Sequence, residues 1–178
     1  MTPSDVPRIA VGPAPGALGR IVELHADYYH RHWGFGLFFE VKVAVELAAF
    51  LEGYEPSRDG FWTVREGDRT QGSLALDGRD AGREGAHLRW FIVAEGFQGR
   101  GFGRGLLSRA LDFARERAYP RVYLWTFRGL DPAAHLYRDA GFRLVEERPG
   151  ARWGTPVLEQ RYELPLGDTP GPPGQPSR

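Results

Sequence analysis

The stretch Phe97-Gln98-Gly99-Arg100-Gly101-Phe102-Gly103-Arg104-Gly105-Leu106 sets glycines on alternate positions just ahead of an amphipathic run. Glycine lets the main chain approach a ligand closely, and the free N–H groups at a helix start point into the same space. That combination suits a phosphate or pyrophosphate. It equally describes a tight strand-to-helix turn. Spacing narrows the ligand. A triphosphate-binding P-loop ends in Gly-Lys-Ser/Thr, and the only lysine of this chain is Lys42. A dinucleotide-binding loop needs Gly-x-Gly-x-x-Gly, and the position that would complete it after Gly99 and Gly101 is Arg104. What remains is Gln98-x-x-Gly101-x-Gly103.

Other chemistry is excluded by residue type. With no cysteine, the chain has no disulfide, no thiolate metal site and no cysteine acyl-enzyme. His25, His30, His32, His87 and His135 show no pair at ligand spacing with a third partner, so no metal is expected. The 178 residues carry 23 acidic and 23 basic side chains, and a formal charge of zero disfavours nucleic acid and anionic membranes as partners. Hydrophobic residues at 42% and aromatics at 13% suffice for one self-contained core. No apolar run is long enough to span a bilayer, and Pro13 and Pro15 break the weakly apolar N-terminus, so no targeting segment is read and a cytoplasmic location is expected.

The elements that must position the glycine segment follow from periodicity. Residues 1–17 and 167–178 are rich in Pro and Gly and are expected to be flexible, leaving one domain over 18–166. Leu18, Ile21, Val22, Tyr28 and Tyr29, with His25 on the same stripe, predict a first helix. Phe39, Val43, Leu47, Phe50 and Leu51 predict a second over about 38–54. Strands are expected at 61–66, 72–77 and 87–94, the first two joined at Gly67-Asp68. An amphipathic helix carries Leu106, Leu107, Ala110, Leu111 and Ala114 inward and stops at Pro120. RVYLWTF, apolar in both alternating sets, predicts a central strand over 121–127. A short helix over 132–139 ends at Gly141, and strands at 142–147 and 157–164 complete an α/β fold whose mixed, mostly antiparallel sheet is flanked by helices.

The strand LRWFIVAE leading into Gln98-x-x-Gly101-x-Gly103, the strand VYLWTF, and Ala134-His135-Leu136-Tyr137-Arg138-Asp139-Ala140-Gly141-Phe142 occur in an order that resembles the GNAT superfamily of N-acetyltransferases. The last piece resembles its Leu-Tyr-x-x-x-Gly-Phe signature. FGLFFEVKVAVELAAFL, LWTFRGLDPAAHLYRDAGF and WGTPVLEQRYEL look, more narrowly, like GNAT domains fused behind MarR-type DNA-binding domains. With so little chain before Leu18, no such regulator domain is expected here.

The resemblance implies acetyl-CoA as cosubstrate, lying where the strands HLRWFIVA and RVYLWTF splay apart. Phe91, Ile92 and Val93 would face the pantetheine, and Gln98, Gly99, Arg100, Gly101, Phe102, Gly103 and Arg104 would wrap the pyrophosphate. Tyr137 stands at the family's general-acid position, where its phenol would protonate the departing thiolate or orient the thioester sulfur. A neutral amine attacks directly, so neither cysteine nor metal is needed. Two departures stand out: Trp125 occupies the place of a glutamate that relays the amine proton in several members, and Leu130 and Asp131 replace an asparagine near the pantetheine. For the acceptor side, local chemistry nominates His25, Tyr29 and Glu40. His25 is equally a core histidine, and Glu40 a first-turn residue favoured by the helix dipole. The expectation is an acetyl-CoA-dependent N-acetyltransferase for a small amine, amino acid or protein amine, as monomer or homodimer. A CoA-binding regulatory module with little transfer is the alternative.

Overall fold

The computed structural model describes residues 6–167. The strands are β1 (Arg8–Val11), β2 (Gly60–Glu66), β3 (Arg69–Asp77), β4 (Ala86–Val93), β5 (Arg121–Phe127), β6 (Arg143–Gly150) and β7 (Val157–Pro165). The helices are α1 (Ala17–Trp33), α2 (Leu37–Glu52), α3 (Phe102–Glu116) and α4 (Asp131–Asp139), with a 3-10 turn at Glu95–Phe97. The strands form one seven-stranded sheet in the order β1-β2-β3-β4-β5-β7-β6. Every pairing is antiparallel except β4 with β5.

The expectation of a flexible opening segment is corrected by β1, whose Arg8 to Val11 register with Arg65 to Trp62 of β2. Four residues between Pro7 and Gly12 are too short to announce themselves by pattern, and they become a strand only because the β2 edge supplies hydrogen-bond partners. The expected tail lies outside the described residues from position 168 onward, as do residues 1–5. Among the described residues, no helix is long and apolar enough to cross a membrane.

Helices cover both faces of the sheet. On one face, α3 lays Leu106, Leu107, Ala110, Leu111 and Ala114 against Leu74, Leu76, Leu88, Val122 and Leu124. On the other, α1 and α2 pack Ile21, Phe39, Val43, Leu47 and Phe50 against Phe61, Ala75, Trp90 and Phe127. The buried stripe of α1 runs through Ala17, Ile21 and His25, while Leu18 is exposed at its margin. An approach distance fixed by small residues holds β1 to α3: a Cβ on Gly105 would lie 2.9 Å from Ile9 Cδ1.

Two irregularities shape the centre. The first is a bulge in β4, where Ala75 pairs with Arg89 but Ser73 with Ile92, and Trp90 adopts a φ of 46°. A bulge reverses which side chains face which layer. Leu88 therefore points into the α3 core while Trp90, two residues on, points into the α1/α2 core. The Ser73 hydroxyl donates to the bulged Trp90 carbonyl at 2.7 Å. The second is the β4–β5 pairing, which is limited to Ala86 with Val122 and His87 with Tyr123. Past these residues the two strands part.

Ser73→Ala removes the donor that satisfies a buried carbonyl at the bulge, and the expected cost is about 1–2 kcal/mol of folding stability. Urea unfolding of the variant against wild type, with unchanged slope, measures it.

Candidate active site

Two cavities open where β4 and β5 separate, one of about 420 Å³ and one of about 610 Å³. Tyr29, Phe91, Leu130 and Ala133 line both, so the cavities adjoin at the gap between the strands.

The larger cavity collects the glycine segment. Phe91, Ile92 and Val93 form its β4 wall. Gln98, Gly99, Gly101, Gly103 and Arg104 close it from the loop and the start of α3. Gly99 and Gly101 have φ of 70° and 85°, in the left-handed region, and a Cβ on either would meet nothing within 4 Å. The loop bends on glycine and leaves its concave side open. The first main-chain bond across the turn runs from Gly105 N–H to Gly101 O at 2.9 Å. Among the described residues, the N–H groups of residues 99–104 donate to no main-chain carbonyl outside the helix, as expected of a helix N-terminus. Gly103 serves packing, since its Cβ would sit 3.3 Å from Leu136 Cδ1. The Gln98 side chain donates from Nε2 to Val93 O at 2.9 Å, clasping the loop to the end of β4. Arg100 and Phe102 stand outside the lining: the Arg100 guanidinium lies over the rings of Phe97 and Phe102, 5.0 and 5.7 Å from their centroids.

The smaller cavity holds Tyr137, His25 and Tyr29 together. Tyr137 is buried on α4 among Phe91, Phe142 and Tyr162, with ring centroids 6.1, 5.9 and 5.9 Å away. The end of α4 is fixed by a Schellman motif, with Phe142 N–H bonded to Tyr137 O and Gly141 N–H to Arg138 O, both at 2.9 Å, and Gly141 at φ 94°. Burial raises the Tyr137 phenol far above its ordinary pKa, and Tyr29 and Tyr162 add to the shift. It therefore keeps its proton at neutral pH. Burial likewise raises Tyr29.

His25 stacks on Tyr29 at 6.1 Å, and its Nδ1 donates to Ile21 O at 2.8 Å, which leaves Nε2 as an acceptor. Burial lowers its pKa to about 4 despite that bond, so at neutral pH it is an uncharged ring and a weak base. The expectation for Glu40 is corrected, because it is exposed on α2 and lines neither cavity. The α2 carboxylate that does line the smaller cavity is Glu46, hydrogen-bonded to both Lys42 and Arg89.

Sequence reading also missed Lys42, His87, Arg89, Trp90, Arg152 and Trp153 on this wall. An arginine inside the apolar HLRWFIVA was the one local signal among them; the others come together only through the fold. His87 stacks on Tyr123 at 4.4 Å, and burial followed by the nearby Arg89 guanidinium lowers its pKa to about 3. Trp125 lines the cavity with the Arg152 guanidinium 3.9 Å from its ring centroid.

Residues 18–142 match the family described as the acetyltransferase (GNAT) family. N-acetyltransferase 8B of Rattus norvegicus is 27% identical over 128 residues, which are 67% of this chain and 58% of the rat protein. The chain spans about half the length of most of the curated relatives it matches. An acetyltransferase structure from Streptococcus agalactiae superposes with a TM-score of 0.69 at 22% identity, covering 90% of this chain and 98% of that one. A Salmonella typhimurium acetyltransferase, solved with its cofactor acetyl-CoA, gives 0.67 at 18% identity, covering 95% and 99%. The parted central strands, the glycine turn and the extent of the family match agree, and this chain belongs to the GNAT acetyltransferase family.

Proposed function

We propose that this protein transfers the acetyl group of acetyl-CoA to a primary amine by direct attack in a ternary complex. The observation that carries the proposal is the meeting of two cavities between β4 and β5, one bounded by free main-chain amides and the other by a buried phenol. The loop fits the coenzyme's diphosphate: its concave side has room where side chains would stand, and the N–H groups of residues 99–104 need acceptors. When bound, acetyl-CoA supplies an activated acetyl thioester.

The residues of the chain do the rest. Amides of residues 99–104, with Arg104 beside them, hold the diphosphate. The unpaired edge of β4 at Phe91 to Val93 takes the pantetheine as an added strand, and Gln98 fixes the loop against that edge. As the amine nitrogen bonds to the acetyl carbon, the carbon–sulfur bond breaks, and the proton that the nitrogen gives up replaces, through water, the one that leaves with the thiol. Tyr137 donates to the departing sulfur. Its raised pKa makes it a persistent donor rather than a stable tyrosinate, so its proton is shared with the thiolate and never lost to bulk water.

Deprotonation of the acceptor has no obvious agent in the cavity. His25 and His87 are poor bases, Glu46 is held between two cations, and the Trp125 indole has no basic lone pair to take a proton. The acceptor therefore enters as the neutral amine. The same observation favours a second reading, in which the chain binds CoA as a regulatory module with little transfer.

Thiol release from acetyl-CoA with a panel of primary amines separates the two readings. Turnover with intersecting double-reciprocal lines is expected; parallel lines contradict direct attack, and tight CoA binding without turnover on any amine selects the second reading. Tyr137→Phe is expected to lower kcat by about 100-fold or more while the acetyl-CoA Kd stays within about threefold. Wild-type turnover in that variant removes Tyr137 from the mechanism. Gly101→Val puts a side chain into the diphosphate space at a strained φ, and calorimetry of the folded variant is expected to show no heat with CoA.

A further inference from the structure

Resting on the acyltransfer reading, we infer that the acceptor amine also carries a carboxylate on an apolar body, as a small aromatic or aliphatic amino acid does, and that Arg152 anchors that carboxylate. The charged side chains lining the acceptor-side cavity are Lys42, Arg89 and Arg152 against the single carboxylate Glu46. Glu46 is committed to Lys42 and Arg89. Asp77 stands 4.0 Å from Arg89, outside the lining, and is itself held by Arg79 at 2.5 Å.

Arg152 is the cation whose guanidinium makes no hydrogen bond to a side chain among the described residues, whereas Lys42 and Arg89 each donate to Glu46. Its one carboxylate neighbour, Glu159, lies 3.5 Å from Nε and is outside the lining, and the Glu159 side chain is taken up by the Arg152 main-chain N–H at 2.9 Å. Both Nη groups are without a hydrogen-bond acceptor among the described residues. The guanidinium plane is steadied by the Trp125 ring at 3.9 Å. A guanidinium held flat, with its fork uncommitted, matches a planar carboxylate in two parallel hydrogen bonds. Phe39, Trp90, Trp125, Phe127 and Trp153 supply the apolar wall that an amino-acid side chain would meet. The depressed His87 reports the same field, since Arg152 and Arg161 add to the lowering by burial and Arg89.

N-acetyl-phenylalanine and N-acetyl-phenethylamine share the amide and the aromatic body and differ in the carboxylate, so titrating each into the intact protein isolates the anchor without turnover. The acid is expected to bind about tenfold more tightly at low ionic strength, with the difference shrinking as NaCl is raised. In Arg152→Gln the preference falls to within about threefold, whereas Arg148→Gln keeps it, because Arg148 also touches Glu159 and the Trp125 ring but lies outside the lining. Equal binding of the two probes, no heat with either, a preference insensitive to salt, or a preference that survives in Arg152→Gln overturns the inference. So does an equal loss in Arg148→Gln. A CoA titration on the same samples reads the transferase site separately. CoA heat without acid preference defeats this inference alone; acid preference without CoA heat defeats the transferase reading alone.

Discussion

Two central parallel strands that stop pairing with each other after two registered positions leave main-chain donors and acceptors facing a gap in the middle of a sheet. Buried groups of that kind cost free energy unless something takes them up. Part of the demand is met internally, where Gln98 donates to the Val93 carbonyl at the end of β4. The remainder faces the two cavities. A ligand with amide groups of its own is the natural partner for such an edge, which is why the parting of β4 and β5, more than any one side chain, makes a binding protein of this sheet. Aromatic rings hold the gap open, with Phe91, Tyr137 and Tyr162 on one face and Tyr29, Trp90 and Phe127 on the other.

The bulge at Trp90 makes that parting possible without sacrificing either core. An unbulged β4 would send Leu88, Trp90 and Ile92 to one face, starving the layer under α1 and α2 of its largest ring. Reversal at Trp90 gives the α3 layer Leu88 and the opposite layer Trp90, so the same short strand seals both cores and still carries Arg89 to the smaller cavity and Phe91 to the gap. The positive φ at a tryptophan is strained for a bulky residue and persists because burial on both faces and the Ser73 bond hold it.

What the sequence made legible was local. RVYLWTF matches β5 to the residue because a strand covered on both faces shows no polar alternation, and Gly141 ends α4 as a left-handed glycine must. The glycine turn was legible for the same reason: Gly99 and Gly101 occupy backbone states that other residues avoid. Side-chain placement across elements was not legible. On α2 the buried stripe is Phe39, Val43, Leu47 and Phe50. Glu40 follows a stripe residue and Glu46 precedes one, so at about 100° per residue they flank the stripe on opposite sides. Periodicity locates the stripe but is silent about which flank meets a cavity, and Lys42, which also precedes a stripe residue, shares the side of Glu46. The strand β1 was missed because its order comes from the β2 edge, and Arg152 because a loop residue has no period to betray it.

A formal charge of zero describes the chain and conceals the cavity. The smaller cavity gathers Lys42 and Arg89 around Glu46, and Arg152 lies over Trp125, which holds the position that the family resemblance gives to a relay carboxylate. Had a glutamate stood there, Arg152 at 3.9 Å and Arg148 at 5.0 Å from the present ring would pair with it and depress its basicity, leaving an anion of little use for taking a proton. The tryptophan therefore does not simply delete a base from an otherwise ordinary site. It leaves the neighbouring Arg152 guanidinium on an indole face with its Nη groups uncommitted, and on the proposed reading the carboxylate of an acceptor takes the place that an internal one would have filled.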